Sequence, residues 1–270
     1  MDWVFYKYHG SGNDFVIFDN WEETFPKKPG LISKICHRRF GIGADGLVLL
    51  EKSSCADYFM RYFNADGYEA NFCGNALRCI ASCIPNHLKG SRENTIRTYY
   101  GIHKIICLPE GNSLVFLGQL PNAIQKYQLD INNYSFDVFS LNTGVPHAVI
   151  FINDLQKFPI VEFGREIRSH SFFAPQGVNV NFVEAKESEL FIRTYERGVE
   201  AETLACGSGG AAAAICARYL KMIKNKVNVH FFSGEKVQYE IQKNSEEEKD
   251  GIFMLGKANF VYQGIISLTV

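Results

Sequence analysis

Apolar residues along this chain alternate over short runs far more often than they recur at helical spacing. Runs such as LVLLE ending at Glu51, VNFVE ending at Glu184 and VPHAVIF are of strand length, rich in β-branched and aromatic residues, and flanked by Gly, Asn or Pro. The pattern predicts strand-like runs either side of a GSGNDF turn within residues 1–20, a strand over 58–64, and another from Leu190 onward. Residues 95–108 and 113–120 read as the two strands of a hairpin with PEGN as its turn. Helical signals are fewer. They place a short helix over 31–40 behind Pro26, Pro29 and Gly30, one over 73–86 ending at Pro85, one near 164–169, and an Ala-rich one opening at Cys206. Residues 121–133 read as a connector, and the polar run 244–251 as a solvated hairpin tip. Many strands with few helices predict an α+β fold, each sheet curled around one central helix.

The same pattern occurs twice. Glu69-x-x-x-Cys73-Gly74 recurs 133 residues later as Glu202-x-x-x-Cys206-Gly207, and LVLLE recurs as VNFVE at the same spacing. GNDFVIF and GVPHAVI align 132 residues apart. Three matches in order at nearly constant offset indicate a duplicated domain, because solenoid repeats have periods of roughly 20–50 residues.

Each repeat brings a cysteine to a bend between a strand and a helix. In the second, Gly207, Ser208, Gly209 and Gly210 let the backbone turn tightly; the first reads Cys73-Gly74-Asn75-Ala76. A helix start leaves N–H groups without intrahelical partners and favours anions, and a thiol placed there ionises more readily. Two such sites suit acid–base chemistry beside a bound anion, with Gly74, Asn75, Gly207 and Ser208 as binding positions.

Composition narrows the class. With 270 residues, 46% of them hydrophobic and 22 Phe, the chain holds material for one large core or two of ordinary size. A net charge of −1 gives no electrostatic case for nucleic acid or an anionic membrane. MDWVFYKYHG lacks the pattern of a signal peptide, and no apolar run approaches the ~18 residues of a membrane helix. A cytoplasmic protein acting on a small molecule is expected. The eight cysteines are scattered, without Cys-x-x-Cys or paired-His spacing, so no metal site is expected, and the six besides Cys73 and Cys206 read as small buried hydrophobes. Gly41-x-Gly43-x-x-Gly46 matches a dinucleotide fingerprint in letters only, since it precedes a strand instead of joining strand to helix.

Taken together, GNDF, RRFGIGADG, FNADGYEANFCGN, GVPHAVIF, GVNVNFVE, YERGVEAETLACGSG and FVYQGII resemble the diaminopimelate epimerase family, in order and over nearly the whole chain. The resemblance implies two pseudo-symmetric domains, each a barrel-like, mostly antiparallel sheet around a central helix, with the active site in the cleft between them. It assigns 1–120 plus 260–270 to the half carrying Cys73 and 121–259 to the half carrying Cys206. The implied reaction interconverts LL- and meso-diaminopimelate for lysine and peptidoglycan synthesis, with two thiols as base and acid and without pyridoxal phosphate or any other cofactor. It further implies a homodimer. Asn13, Asn64 and Asn179 match the family's substrate-binding asparagines, Arg197 its arginine for the distal carboxylate, and His147 and Glu196 the residues that set thiol protonation.

Blander readings accompany each residue. Asn13 and Asn64 suit turns, Asn179 suits a strand or loop, Glu196-Arg197 suits a surface ion pair, and His147 suits a hydrogen-bonded core histidine. The chain departs from the family at Ala76, at Gly46 (often Gln) and at Val145, where GNPH becomes GVPH. The first two read as tolerable. The lost amide at Val145 implies looser selection at the distal end of the substrate, so that glutamate or aspartate becomes an alternative. Racemases of the proline or hydroxyproline type, a thiol-disulfide redox protein and a non-catalytic amino-acid-binding module are the other readings.

Overall fold

Strands carry most of the fold in the computed structural model of the chain, which describes residues 1–243 and 250–268. Residues 244–249, most of the expected hairpin tip, lie outside the described residues. The contacts divide the chain into two compact units, Met1–Phe116 with Leu255–Val270, and Leu117–Met254.

In the first unit, β1 (Asp2–Gly10) and β2 (Asn13–Asp19) form an antiparallel hairpin, turning through Ser11 and Gly12, both at positive φ. After α1 (Pro29–Cys36), β3 (Gly46–Glu51) runs parallel to β2 and β4 (Tyr58–Asn64) returns antiparallel. The two-residue β5 (Glu69–Ala70) pairs with β4 and leads into α2 (Gly74–His87). β6 (Glu93–Arg97) then lies parallel to β4, and β7 (Ile102–Cys107) and β8 (Asn112–Gln119) extend the sheet.

The second unit follows the same plan. β9 (Gln125–Ile131), β10 (Tyr134–Asn142) and β11 (Pro146–Phe151) are successive antiparallel neighbours. α3 (Ile160–Arg168) precedes β12 (Asn179–Lys186), which is parallel to β11. β13 (Glu189–Glu196), β14 (Ala201–Thr203), α4 (Gly207–Tyr219), β15 (Lys226–His230), β16 (Lys236–Lys243) and β17 (Asp250–Lys257) complete it, and β18 (Asn259–Ser267) returns to pair with β1. The duplication extends to register. Phe15 faces Gly46 as His147 faces Asn179, and Tyr58 faces Ile96 as Leu190 faces Val229. The repeat is therefore one of pairing and not only of letters.

Both cysteine helices are core helices. Every residue from Gly74 to Ile84 in α2 and from Gly207 to Ala217 in α4 is buried, as expected for a helix enclosed on all sides. In α4 the small residues let neighbours approach closely. A Cβ on Gly210 would fall 2.5 Å from the Tyr239 hydroxyl oxygen, and that hydroxyl donates to the Gly207 carbonyl at 2.8 Å. Gly210→Ala is expected to cost about 1–3 kcal/mol by overpacking, read as a lower urea midpoint at unchanged slope.

Several elements differ from the sequence expectation. Residues 95–108 are two strands, because Thr98 folds the chain back, its Oγ1 accepting from the N–H groups of Tyr100 and Gly101. The connector at 121–133 contains β9, joined to β10 by Asn132 and Asn133, both at positive φ, as a two-residue hairpin requires. α1 stops at Cys36 because the RRFGIGAD loop folds over its C-terminus. Ile42 and Gly43 donate to the Ile35 carbonyl and Ala44 to that of Cys36. α3 starts four residues early behind Pro159, burying Ile160, Phe163, Gly164 and Ile167. α2 accommodates Pro85 and ends at His87. Of the six cysteines read as buried hydrophobes, Cys55 is exposed. Burial pushes Cys36 and Cys216 up to about 12 and raises Cys83 further.

Candidate active site

The two motif glutamates serve the scaffold. Arg61 on β4 donates to Glu69 at 2.8 Å, and Arg193 on β13 bonds both oxygens of Glu202 at 2.5 and 2.7 Å. These pairs clip β5 and β14 to their neighbours, so that the chain enters α2 and α4 from a fixed direction. Cys73 and Cys206 then occupy the N-cap positions, in extended conformation. Neither side chain caps its helix, and neither first turn holds an acidic residue. The places that Ser, Thr or Asp would stabilise are given to thiols, and the helix starts are left to favour an anion. Neither cysteine is in a disulfide; Cys73 is half-buried and Cys206 is 6% exposed.

In the first unit, Asn75 donates to the Oδ1 of Asn13 at 3.2 Å, and Asn13 donates to Asp45 at 2.9 Å. Arg78, fully buried one turn further along α2, fixes the Asn75 amide by donating to its Oδ1 at 2.7 Å, and also donates to Ser11 Oγ. Beside them Asp14 accepts from Lys7 at 2.6 Å and from both terminal nitrogens of Arg38. Burial opposes its charge, but the bonds from Arg38 and Lys7 outweigh that and hold the carboxyl down at about 2. Asn13 is thus a working member of a polar network and not only a turn residue. Asn64 ends β4 opposite Gly46 with its side chain exposed. At Gly46 itself a Cβ would lie 2.4 Å from the Tyr62 ring, so that ring takes up the space left by the absent side chain.

The second unit gathers more of the expected residues. His147 on β11 is fully buried, with Nε2 3.0 Å from Ser208 Oγ, and Ser208 Oγ is 3.5 Å from Cys206 Sγ. Burial, followed by the nearby Arg197 charge, pushes His147 down to about 3, so it is neutral at physiological pH. Asn179 accepts from the Arg197 backbone N–H at 2.9 Å. The Arg197 guanidinium donates to the carbonyls of Gln176 and Gly177, and among the described residues it has no carboxylate partner. Glu196 accepts from Thr203 Oγ1 at 3.0 Å. The Glu196-Arg197 surface ion pair is therefore not formed, and the guanidinium remains available to a ligand carboxylate.

Sequence reasoning missed Arg78, Asn181, Thr194 and the Lys7–Asp14–Arg38 cluster. Their signal is weak: Lys7, Arg78, Asn181 and Thr194 are polar residues at positions that the fold buries, whereas Asp14 sits at a strand start and Arg38 in a loop. Among the described residues no group of three His, Cys, Asp or Glu is placed to hold a metal ion, and no helix is long and apolar enough to cross a membrane.

A family model described as diaminopimelate epimerase matches residues 5–120 and 139–261. A diaminopimelate epimerase of Methanocella arvoryzae is 38% identical, over 98% of this chain and 96% of its own length. Those of Archaeoglobus fulgidus and Flavobacterium psychrophilum are 35% and 38% identical over similar spans. A solved hydroxyproline epimerase from Agrobacterium vitis, with trans-4-hydroxy-L-proline bound, shares the fold at TM-score 0.74 and 14% identity, covering 99% of this chain and 93% of that one. A phenazine biosynthesis protein of the PhzF family from Bacillus anthracis does so at TM-score 0.73 and 18% identity, covering 99% of this chain and 100% of that one. With one family's model covering both halves and its members more than a third identical from end to end, this chain belongs to the diaminopimelate epimerase family.

Proposed function

We propose that the chain is an isomerase that interconverts LL- and meso-2,6-diaminopimelate, with Cys73 and Cys206 as its two acid–base groups. The observation that carries this reading is the pair of uncapped helix starts, each with a thiol at the N-cap, in a chain of this family. One sulfur, as thiolate, takes the α-proton. The electron pair left on Cα delocalises into the α-carboxylate, where first-turn N–H groups around Gly74–Asn75 and Gly207–Ser208 stabilise it. The other sulfur, as thiol, returns a proton to the opposite face. The bond broken and the bond formed are both C–H, no electron changes owner, and the thiols exchange roles on reversal. Arg197 holds the distal carboxylate, Asn13, Asn64 and Asn179 hold the polar groups of the substrate, and His147 and Glu196 set thiol protonation. The names of the relatives favour this substrate over shorter acids or proline types.

The test is incubation of the pure protein with LL-diaminopimelate in deuterated water without added cofactor. Meso product carrying deuterium at one α-carbon is expected. Substrate recovered unlabelled and unepimerised would sink the reading.

A cytoplasmic location and a homodimer belong to the same proposal. The dimer is supported by exposed apolar residues on β1 and β18: Val4, its cross-strand partner Ile265, Phe260 and Val261 are each about half exposed or more. Ile265→Lys is expected to convert a dimer to a monomer by sedimentation velocity. A wild-type protein that sediments as a monomer at micromolar concentration would refute the dimer.

A further inference from the structure

We propose that Asn181 is a positioning residue that locks His147 as the Nε2–H tautomer, leaving the Ser208 hydroxyl to donate its hydrogen to Cys206 Sγ. The inference deepens the epimerase reading and rests on it for its catalytic consequence, though its structural half stands apart.

The amide of Asn181 has its orientation fixed. It is fully buried on β12, and its Nδ2 lies 3.0 Å from the Ala148 carbonyl, an obligate acceptor, and 3.4 Å from that of Asn179. The nitrogen must therefore face that side. Thr194 Oγ1 donates to the opposite atom, Oδ1, at 3.0 Å. Room for Oδ1 comes from Gly209, where a Cβ would sit 2.3 Å from it. The same Nδ2 is 3.0 Å from His147 Nδ1. An amide NH2 has no lone pair to offer, so Nδ1 accepts and carries no proton. In a neutral ring the proton is then on Nε2, which faces Ser208 Oγ. Ser208 accepts that hydrogen, and its own single hydrogen is left for the sulfur. A donor aimed at Sγ favours the thiolate.

This relay belongs to the second unit alone. At the repeat spacing the first unit has Phe15, Val48 and Asn75 where the second has His147, Asn181 and Ser208. The duplicated fold thus carries two chemically different thiol environments, as a substrate with two dissimilar faces at its α-carbon calls for.

Asn181→Asp is the near-isosteric test. A carboxylate accepts from the ring, moves a proton to Nδ1, and turns the Ser208 hydroxyl toward Nε2 and away from sulfur. Long-range 1H–15N NMR of the histidine-labelled wild-type protein, with His147 assigned through His147→Gln, is expected to show pyridine-type Nδ1 and protonated Nε2. In Asn181→Asp, Nδ1 is expected to gain a proton. In a Cys73→Ala background, alkylation of Cys206 at pH 7 should slow about tenfold, the size of one hydrogen bond to a charged group. Epimerisation by Asn181→Asp should fall by a similar factor, and the double variant with Ser208→Ala should be no slower than Ser208→Ala alone.

A wild-type Nδ1–H tautomer, whether or not the variant folds, overturns the proposal. So does an unchanged tautomer in Asn181→Asp, or additive losses in the double variant. The NMR and alkylation measurements need no turnover. A wild-type protein that fails to epimerise diaminopimelate therefore counts against the function while leaving the relay to be judged separately.

Discussion

Cys73→Ser and Cys206→Ser variants are expected to lose at least about 10³-fold in kcat for epimerisation while unfolding at the same or a higher denaturant concentration than the parent. The two halves of that expectation come from the same atoms. Cysteine at an N-cap leaves the first turn without a side-chain acceptor, and neither Cys73 nor Cys206 caps its helix. Both residues already have the extended backbone that a capping serine adopts. A serine hydroxyl there can accept from the N–H two or three residues on, worth about 0.5–2 kcal/mol relative to a non-capping residue. The same hydroxyl is far too weakly acidic to supply an anion at neutral pH, so the base is lost in one reaction direction and the acid is weakened in the other. A capping serine would also occupy N–H groups that the proposed mechanism keeps for the substrate carboxylate. Stability is thus set aside at two symmetric positions for the sake of chemistry. Kinetic assays in both directions together with urea titrations check the pair of outcomes. A serine variant that keeps full activity would end the two-thiol account, and two variants that are inactive because unfolded would leave the capping argument wrong.

The duplication was legible because it lives in short-range pattern. The Glu-x-x-x-Cys-Gly units, the strand runs before them and the spacing of about 133 residues are all visible in the letters, and the pairing registers reproduce them. What stayed hidden is whatever depends on partners far apart in sequence. Asn181 reads as an ordinary member of an apolar strand run until the fold sets it beside His147, 34 residues earlier, and below Gly209. Arg78 reads as an exposed helical arginine until α2 is enclosed on every side and the guanidinium has to find Asn75, Ser11 and the Lys257 carbonyl. The missed β9 had an alternating pattern of its own, with Leu129 and Ile131 inward. It was obscured by charged and amide neighbours and by a turn built from Asn132 and Asn133 without glycine. The shortened α1 shows the same limit, since its end is set by a loop that folds back onto the last carbonyls and not by any stop signal in the helix itself.

Lowering the pH from 7 to 5 is expected to remove about 4 kcal/mol of native stability, roughly half of it through His103 in the first unit and half through His147 in the second. His103 is buried between Thr98 Oγ1 and the Phe116 carbonyl, and burial pushes it down to about 4. Burial and then the Arg197 charge push His147 down to about 3. Between those values and the unfolded value near 6.5, each imidazole is neutral in the folded chain and protonated in the unfolded one. The unfolded state therefore binds more protons, and stability falls as pH falls through that window; above the unfolded value the contribution is fully present. Burial lowers His87 as well, and it adds in the same direction. The carboxylates act elsewhere. Asp14, held near 2, and Glu51, whose pKa burial raises less than its bonds to Lys27 and Arg61 lower it, contribute stability above the unfolded carboxylate range near 4 that is lost only below it. The interval from pH 7 to 5 thus isolates the histidines. Urea titrations at half-unit steps read the slope, and His103→Asn or His147→Gln should each remove about half of it whatever the variant does to absolute stability. If the two units unfold in separate transitions, each transition carries one share. A stability that is flat between pH 7 and 5 would mean that both rings are protonated in place, and a charged His147 could not accept the amide hydrogen of Asn181.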